Sequence, residues 1–129
     1  MNSKNFEDAH PWLIRQIKKQ YWKILKLLNI SSFTYSYNHG LTKIKLNPKD
    51  DSVSKPVYLN SYENETVKFI SRYVNRGDII FDIGANIGFF SLLFSSLSSP
   101  SGYVHAFEPS TREFLKLCKN VELNCLDNS

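Results

Sequence analysis

The feature that most constrains this chain is the run Phe81-Asp82-Ile83-Gly84-Ala85-Asn86-Ile87-Gly88-Phe89-Phe90. It is entered from Ile79-Ile80-Phe81, a compact apolar stretch of the kind that lies in the buried middle of a parallel sheet. The stretch stops at an acid, bends through two glycines, and continues from Ile87 to Leu97 as a Phe- and Leu-rich helix. After the loop Ser98-Ser99-Pro100-Ser101-Gly102, Tyr103 to Phe107 reads as a second strand, ending at Glu108-Pro109. Ser110 and Glu113 have the spacing of a capping box. Phe114, Leu117, Cys118, Val121 and Cys125 carry the helical stripe onward. The order β-α-β-α predicts an α/β fold with a parallel, doubly wound sheet.

Open α/β sheets bind ligands at the carboxyl ends of their strands. Gly84 has no Cβ, so the chain can turn tightly there and a ligand can approach the backbone. Gly88 lets the helix start lie close to its strand. Glu108 follows Asp82 by 26 positions, and a right-handed β-α-β unit can set the two strands side by side. Glu108 then faces the bend, where a carboxylate can accept both hydrogens of a ribose diol. The dinucleotide fingerprint fails, because Asn86 and Phe89 stand where its second and third glycines would be. A P-loop fails too, since no Gly-Lys-Ser/Thr follows. Asp82 would repel a pyrophosphate but suits a cationic ligand. S-adenosylmethionine, with a ribose diol, an ammonium, a sulfonium and no phosphate, meets those conditions. Taken singly, the glycines are also ordinary strand-to-helix punctuation, Asp82 a helix cap and Glu108 a strand end. An NAD- or nucleotide-binding α/β protein stays open, as does a non-enzymatic interaction module completed by a partner chain.

Three segments together carry a resemblance. Asp82 to Ser91, then Ala106-Phe107-Glu108-Pro109, then Asn120-Val121-Glu122-Leu123-Asn124 resemble the FkbM-type family of S-adenosylmethionine-dependent methyltransferases. The likeness covers roughly residues 55–129. It implies a class I methyltransferase fold and methyl transfer to a hydroxyl oxygen of a sugar, glycan or secondary metabolite. By that match Asp82, Gly84, Ala85, Asn86, Gly88 and Glu108 form the cofactor site. Asp82, Gly84, Asn86 and Gly88 would line the methionine end, and Glu108 would hold the ribose. No catalytic residue is assigned. Only the first two βα units of the family's sheet are recognisable, and an acceptor site is not. The expectation is the N-terminal part of such an enzyme, with weak or no catalysis alone and a sheet edge open to a partner chain.

The first half of the chain has a different character. Residues 1–60 carry ten Lys/Arg against four Asp/Glu, and residues 61–129 six against eight. The basic excess is modest and local, so no nucleic-acid partner is inferred. Leu13, Ile17, Tyr21, Ile24 and Leu28 recur at helical steps. That pattern predicts an accessory helix packing this apolar face inward, with Arg15, Lys18, Lys19, Lys23 and Lys26 mostly elsewhere. A sharper reading is contact with a membrane surface or an anionic polymer. Phe33, Tyr35 and Tyr37, then Ile44 and Leu46, alternate with polar residues around Asn38-His39-Gly40, which predicts a β-hairpin with His39 in its turn. Val57-Tyr58-Leu59 reads as a short extended piece. Val67, Ile70 and Val74 predict a helix with Asn60 or Ser61 as N-cap and Gly77 just past its end. The expected domains are a leader over 1–60 and the first half of a methyltransferase domain over 61–129. No stretch is apolar for long enough to span a bilayer, and Met1 to Trp12 lacks the apolar core of a secretory signal. Cys118 and Cys125 cannot supply a disulfide framework or a four-ligand zinc site. Both are expected to be half-buried, reduced thiols of a cytoplasmic protein, and His105 is expected to be packed.

Overall fold

A computed structural model of the chain describes residues 11–37 and 42–125. Its elements, in order, are α1 (Pro11–Leu27), β1 (Phe33–Tyr37), β2 (Thr42–Leu46), α2 (Ser54–Tyr58), α3 (Asn64–Tyr73), β3 (Ile79–Ile83), α4 (Phe89–Ser98), β4 (Tyr103–Phe107) and α5 (Thr111–Leu123). The strands β1 and β2 pair with each other, as the alternation predicts. The connection Asn38-His39-Gly40 between them lies outside the described residues. The chain divides into two compact units, residues 1–33 with 46–62, and residues 34–45 with 63–129. Most of the hairpin groups with the later residues.

The first unit is built on aromatic packing. The Trp22 ring centroid lies 5.5 Å from that of Tyr58 and 6.1 Å from that of Phe33, with Leu25, Leu46, Val57 and Tyr58 buried beside it. The stripe predicted to face inward does not. Leu13, Ile17, Tyr21, Ile24 and Leu28 are all exposed, and the buried positions of α1 are Trp22 and Leu25. The large Trp22 ring finds Phe33 and Tyr58, and that pairing sets the helix rotation. The extended piece expected at Val57-Tyr58-Leu59 is instead the short helix α2 and its end. Its start is created by Asp50, whose carboxylate accepts hydrogen bonds from the N–H groups of Ser52, Val53 and Ser54 at 2.9, 3.2 and 3.0 Å. A carboxylate at this place satisfies the orphan donors of a helix N-terminus.

In the second unit, β3 and β4 run parallel, with Ile79 opposite Tyr103, Asp82 opposite Ala106 and Ile83 opposite Phe107. Strand, bend, helix, strand and helix follow in the predicted order, giving a partial Rossmann-like fold. Helix α4 packs on one face of the pair, towards which Asp82 and Val104 are buried. The opposite face is uncovered. Ile79, Phe81, Ile83, Tyr103 and Phe107 point outward, Phe81 being 63% exposed. The double-sided burial expected of β3 is therefore not met within this chain. His105 is not packed either: it is exposed, with its ring stacked 5.0 Å from that of Phe81.

Helix ends also depart from expectation. Helix α3 begins at Asn64 behind Glu63, with neither Asn60 nor Ser61 capping it, and Gly77 sits four residues beyond its end in the turn before β3. Helix α5 starts behind Ser110 as predicted, but the reciprocal capping bonds do not form. Glu113 turns instead to Arg112 and Lys116, at 2.7 and 2.8 Å. The buried stripe of α5 is Glu113, Leu117 and Asn120, while Phe114 is exposed. Cys118 is half-buried, Cys125 is exposed, and both are free thiols.

Candidate cofactor site at the glycine bend

The site forms where β3 ends. The N–H groups of Gly84 and Ala85 both donate to the carbonyl of Phe107, at 2.8 and 3.0 Å, so the bend is tied to the tip of β4. Gly84, Asn86 and Gly88 have φ of 83°, 53° and 89°, all in the left-handed region. This alternation folds five residues into the gap between strand and helix. Glycine takes such angles without penalty, and asparagine is the side chain that tolerates them best. The Asn86 side chain reinforces the turn, its Oδ1 accepting from the N–H of Ile87 at 2.8 Å.

The two glycines have separate physical tasks. A Cβ on Gly84 would meet nothing within 4 Å, so its backbone borders open space. A Cβ on Gly88 would lie 2.6 Å from Cδ1 of Leu117. The sequence predicts that Gly88 lets the helix approach its strand. The close neighbour is helix α5, whose Leu117 is buried against the start of α4.

Glu108 lies at the tip of β4 and reaches back to the bend. Its Oε2 accepts the N–H of Asn86 at 2.8 Å, and its Oε1 accepts the N–H of Ser110 at 2.8 Å. Each carboxylate oxygen retains acceptor capacity after one such bond. Asp82 is also at the strand end, but its side chain turns inward. Its Oδ2 accepts a 2.6 Å hydrogen bond from the Ser91 hydroxyl of α4. Burial pushes the Asp82 carboxyl above the usual carboxylate range, and the Ser91 bond only partly offsets this. Ala85 and Ile87 are buried beneath the bend. Of the six residues singled out, Gly84, Ala85, Asn86 and Glu108 are brought together at the two strand tips by backbone hydrogen bonds, Gly88 lies against Leu117, and Asp82 anchors strand to helix.

Two structural contributors carry no signal in the sequence pattern. Asn120 is fully buried, accepts the N–H of Lys45 at 2.8 Å and donates to the Ile87 carbonyl at 2.7 Å. Asn124 accepts the N–H of Lys43 at 2.8 Å and donates back to the Lys43 carbonyl at 2.7 Å. An amide on α5 and one at its C-terminal end thus hold β2, and the first also holds the bend. Tyr37 stacks on Phe89 at 5.3 Å, beside the first turn of α4. Its hydroxyl is buried with no hydrogen-bond partner among the described residues, and burial raises its pKa well above the ordinary tyrosine range. In the sequence Asn120 and Asn124 stand only within the segment that carries the family resemblance, and helical spacing alone marks neither as buried.

A parallel strand pair, a left-handed glycine bend at the first tip and a carboxylate from the second tip hydrogen-bonded to that bend define a partial class I methyltransferase fold. No family model matches the chain. The chain is 52% identical over 45 residues to the 31-O-demethyl-FK506 methyltransferase FkbM of Streptomyces tacrolimicus, covering 35% of this chain and 17% of that protein. It is 33% identical over 69 residues to a tRNA 4-demethylwyosine aminocarboxypropyltransferase of Methanocaldococcus jannaschii, covering 54% of this chain and 26% of that protein. The solved structure of M. jannaschii TYW2 in complex with AdoMet superimposes with a TM-score of 0.59 at 24% identity, over 76% of this chain and 41% of that one. The likeness to the solved structure is one of fold, and the chain spans about a quarter or less of the length of the curated relatives it matches.

Proposed function

We propose that this chain is the cofactor-holding portion of an FkbM-type O-methyltransferase, with S-adenosylmethionine bound in the crevice between Gly84 and Glu108. The observation that carries the reading is the Glu108–Asn86 hydrogen bond, which fixes a carboxylate at the lip of the glycine bend. There it can accept the two hydroxyls of a ribose while staying tied to the backbone. Gly84 leaves its side of the bend open to the methionine end of the ligand. Asp82 supports the site from below by joining β3 to α4, and Gly88 by letting α5 close up to it. The bound cofactor would supply an activated methyl group. This chain's residues would bind and orient it, which is the entropic part of such a displacement.

The acceptor, a hydroxyl of a sugar, glycan or secondary metabolite, is proposed from the FkbM likeness alone. The uncovered face of β3 and β4 and their outer edges, unpaired among the described residues, would be covered by further sheet and helix, from the same polypeptide or from a partner chain.

Calorimetric titration of the purified chain with S-adenosylmethionine, S-adenosylhomocysteine and NAD tests the cofactor. Binding of the first two, lost in Glu108→Ala, supports the proposal; preference for NAD overturns it in favour of a dinucleotide site. A second reading comes from the M. jannaschii relative, which matches over the longer stretch. Aminocarboxypropyl transfer would release methylthioadenosine, whereas methyl transfer releases S-adenosylhomocysteine. Chromatography of the spent cofactor separates the two.

A further inference from the structure

Helix α1 presents three faces of different chemistry. At 100° per residue, Trp22 and Leu25 fall on one side, buried, together with half-buried Ile14 and Lys18. Lys18 on that side donates to the Tyr58 carbonyl at 3.2 Å and lies over the Tyr58 ring. The next third of the circumference carries Leu13, Ile17, Tyr21 and Ile24, continued one turn on by Leu28. Each is a large apolar side chain left open to solvent, Ile17 to 54% and Leu28 to 65%. The remaining third carries Arg15, Lys19, Lys23 and Lys26, with Gln16 and Gln20 between the two surfaces. The helix has five basic residues and no acid. Asp51 is the acid that faces it, and it is engaged by Lys26 and by the Trp22 indole.

We propose that α1 docks this chain on an anionic lipid bilayer, lying in the interface with the Gln16–Gln20 seam towards the lipid, so that the Leu13–Ile17–Tyr21–Ile24–Leu28 stripe enters on one flank and Arg15, Lys19 and Lys23 meet the headgroups on the other. Charge complementarity selects this occupant. A helix of 17 residues, about 26 Å long, offers aliphatic area and uniform positive charge side by side, and an anionic membrane surface accepts both at once. Single-stranded nucleic acid would use the basic face and aromatic rings, and would leave the row of leucine and isoleucine in water. Exposed Trp12 at the start of the helix suits the headgroup level, where indole rings concentrate. None of the helices described is long and apolar enough to cross a membrane, so the attachment is peripheral. It would hold the methyltransferase fold at a surface where lipid-linked or membrane-bound acceptors are concentrated.

The test is co-sedimentation of the full chain with phosphatidylcholine vesicles, with and without phosphatidylglycerol, at low and high salt. Binding is expected to the anionic vesicles only and to weaken as salt rises. Lys19→Gln with Lys23→Gln should lower the partition coefficient about thirtyfold, from the attraction of two charges near the surface. Ile17→Glu should abolish partition. Position 17 is exposed, so unchanged far-ultraviolet circular dichroism will show that the variant still folds. A blue shift of Trp12 emission on vesicle addition is a second readout. No partition into anionic vesicles overturns the proposal, as does partition unaffected by Ile17→Glu. Equally decisive against it is a concentration-dependent dimer in sedimentation velocity that Ile17→Glu dissolves, for then a second copy occupies the stripe.

Discussion

The carboxylate of Glu108 accepts the backbone N–H of Asn86 at 2.8 Å, joining residues 22 positions apart at the tips of two parallel strands. The bond does two things with one side chain. It satisfies a backbone donor in the left-handed turn at Asn86, and it fixes the carboxylate at the place where the proposed cofactor's diol would be received.

Glu108→Gln keeps the shape and one acceptor oxygen but loses the charge. A hydrogen bond to a charged group contributes about 1.5–3 kcal/mol. S-adenosylmethionine affinity should therefore fall about tenfold to a hundredfold, with the thermal midpoint moving by only a few degrees. Calorimetric titration and a melting curve on the same sample measure both. An unchanged dissociation constant would remove Glu108 from the site.

The glycines separate binding from packing. Gly88→Ala puts a Cβ 2.6 Å from Leu117 Cδ1 at a φ of 89°, so overpacking and left-handed strain act together and should cost about 2–4 kcal/mol. Adding Leu117→Ala should give back the overpacking share only, a coupling readable in a double-mutant cycle by urea unfolding. Gly84→Ala meets no atom, so its stability cost is the backbone strain of about 1–2 kcal/mol. Its cofactor affinity should fall by more than that of Gly88→Ala, because the methyl would stand in the crevice.

Asn120 is the amide on which the second unit's packing turns. Asn120→Leu fills similar volume but leaves the Lys45 N–H and the Ile87 carbonyl without their partner. Each buried unsatisfied group costs about 1–3 kcal/mol, so a loss of about 2–5 kcal/mol is expected. Asn124→Ala, nearer the surface, should cost about 1 kcal/mol. Hydrogen exchange at the Lys45 amide should speed up in the first variant and at Lys43 in the second.

What the sequence disclosed follows from what is local in it. The strand Ile79 to Ile83, the bend and Glu108 were legible because turn chemistry and strand order act over neighbouring residues. The rotation of α1 was not. The spacing of Leu13, Ile17 and Tyr21 says that one face is apolar, but what covers a face is a tertiary fact, and Trp22 had the better partners in Phe33 and Tyr58. Helix α2 is not legible in the sequence because Ser54-Lys55-Pro56-Val57-Tyr58 has poor helix propensity and owes its start to the Asp50 carboxylate. The outward face of β3 departs from the sequence pattern because Ile79, Phe81 and Ile83 have the composition of a central strand, yet nothing among the described residues covers them.

Two carboxylates should shape the pH dependence in opposite directions. Burial would raise Asp50, but the hydrogen bonds from Ser52 and Ser54 outweigh it and hold its carboxyl well below the usual range. Its folded value is depressed, so its contribution to stability is present above the unfolded value near 3.8 and is lost as pH falls. Asp82 has a raised folded value, chiefly through burial. Its contribution is complete below its unfolded value and is lost as pH rises through the folded one. Melting curves from about pH 3 to 8 should show the first effect as an acid decline that Asp50→Asn flattens. They should show the second as a decline above about pH 4 that Asp82→Asn flattens, since the amide can still accept from the Ser91 hydroxyl without carrying a buried charge. If Asp82→Asn instead lost stability uniformly across the range, the carboxylate would have to be held ionised by a group other than Ser91.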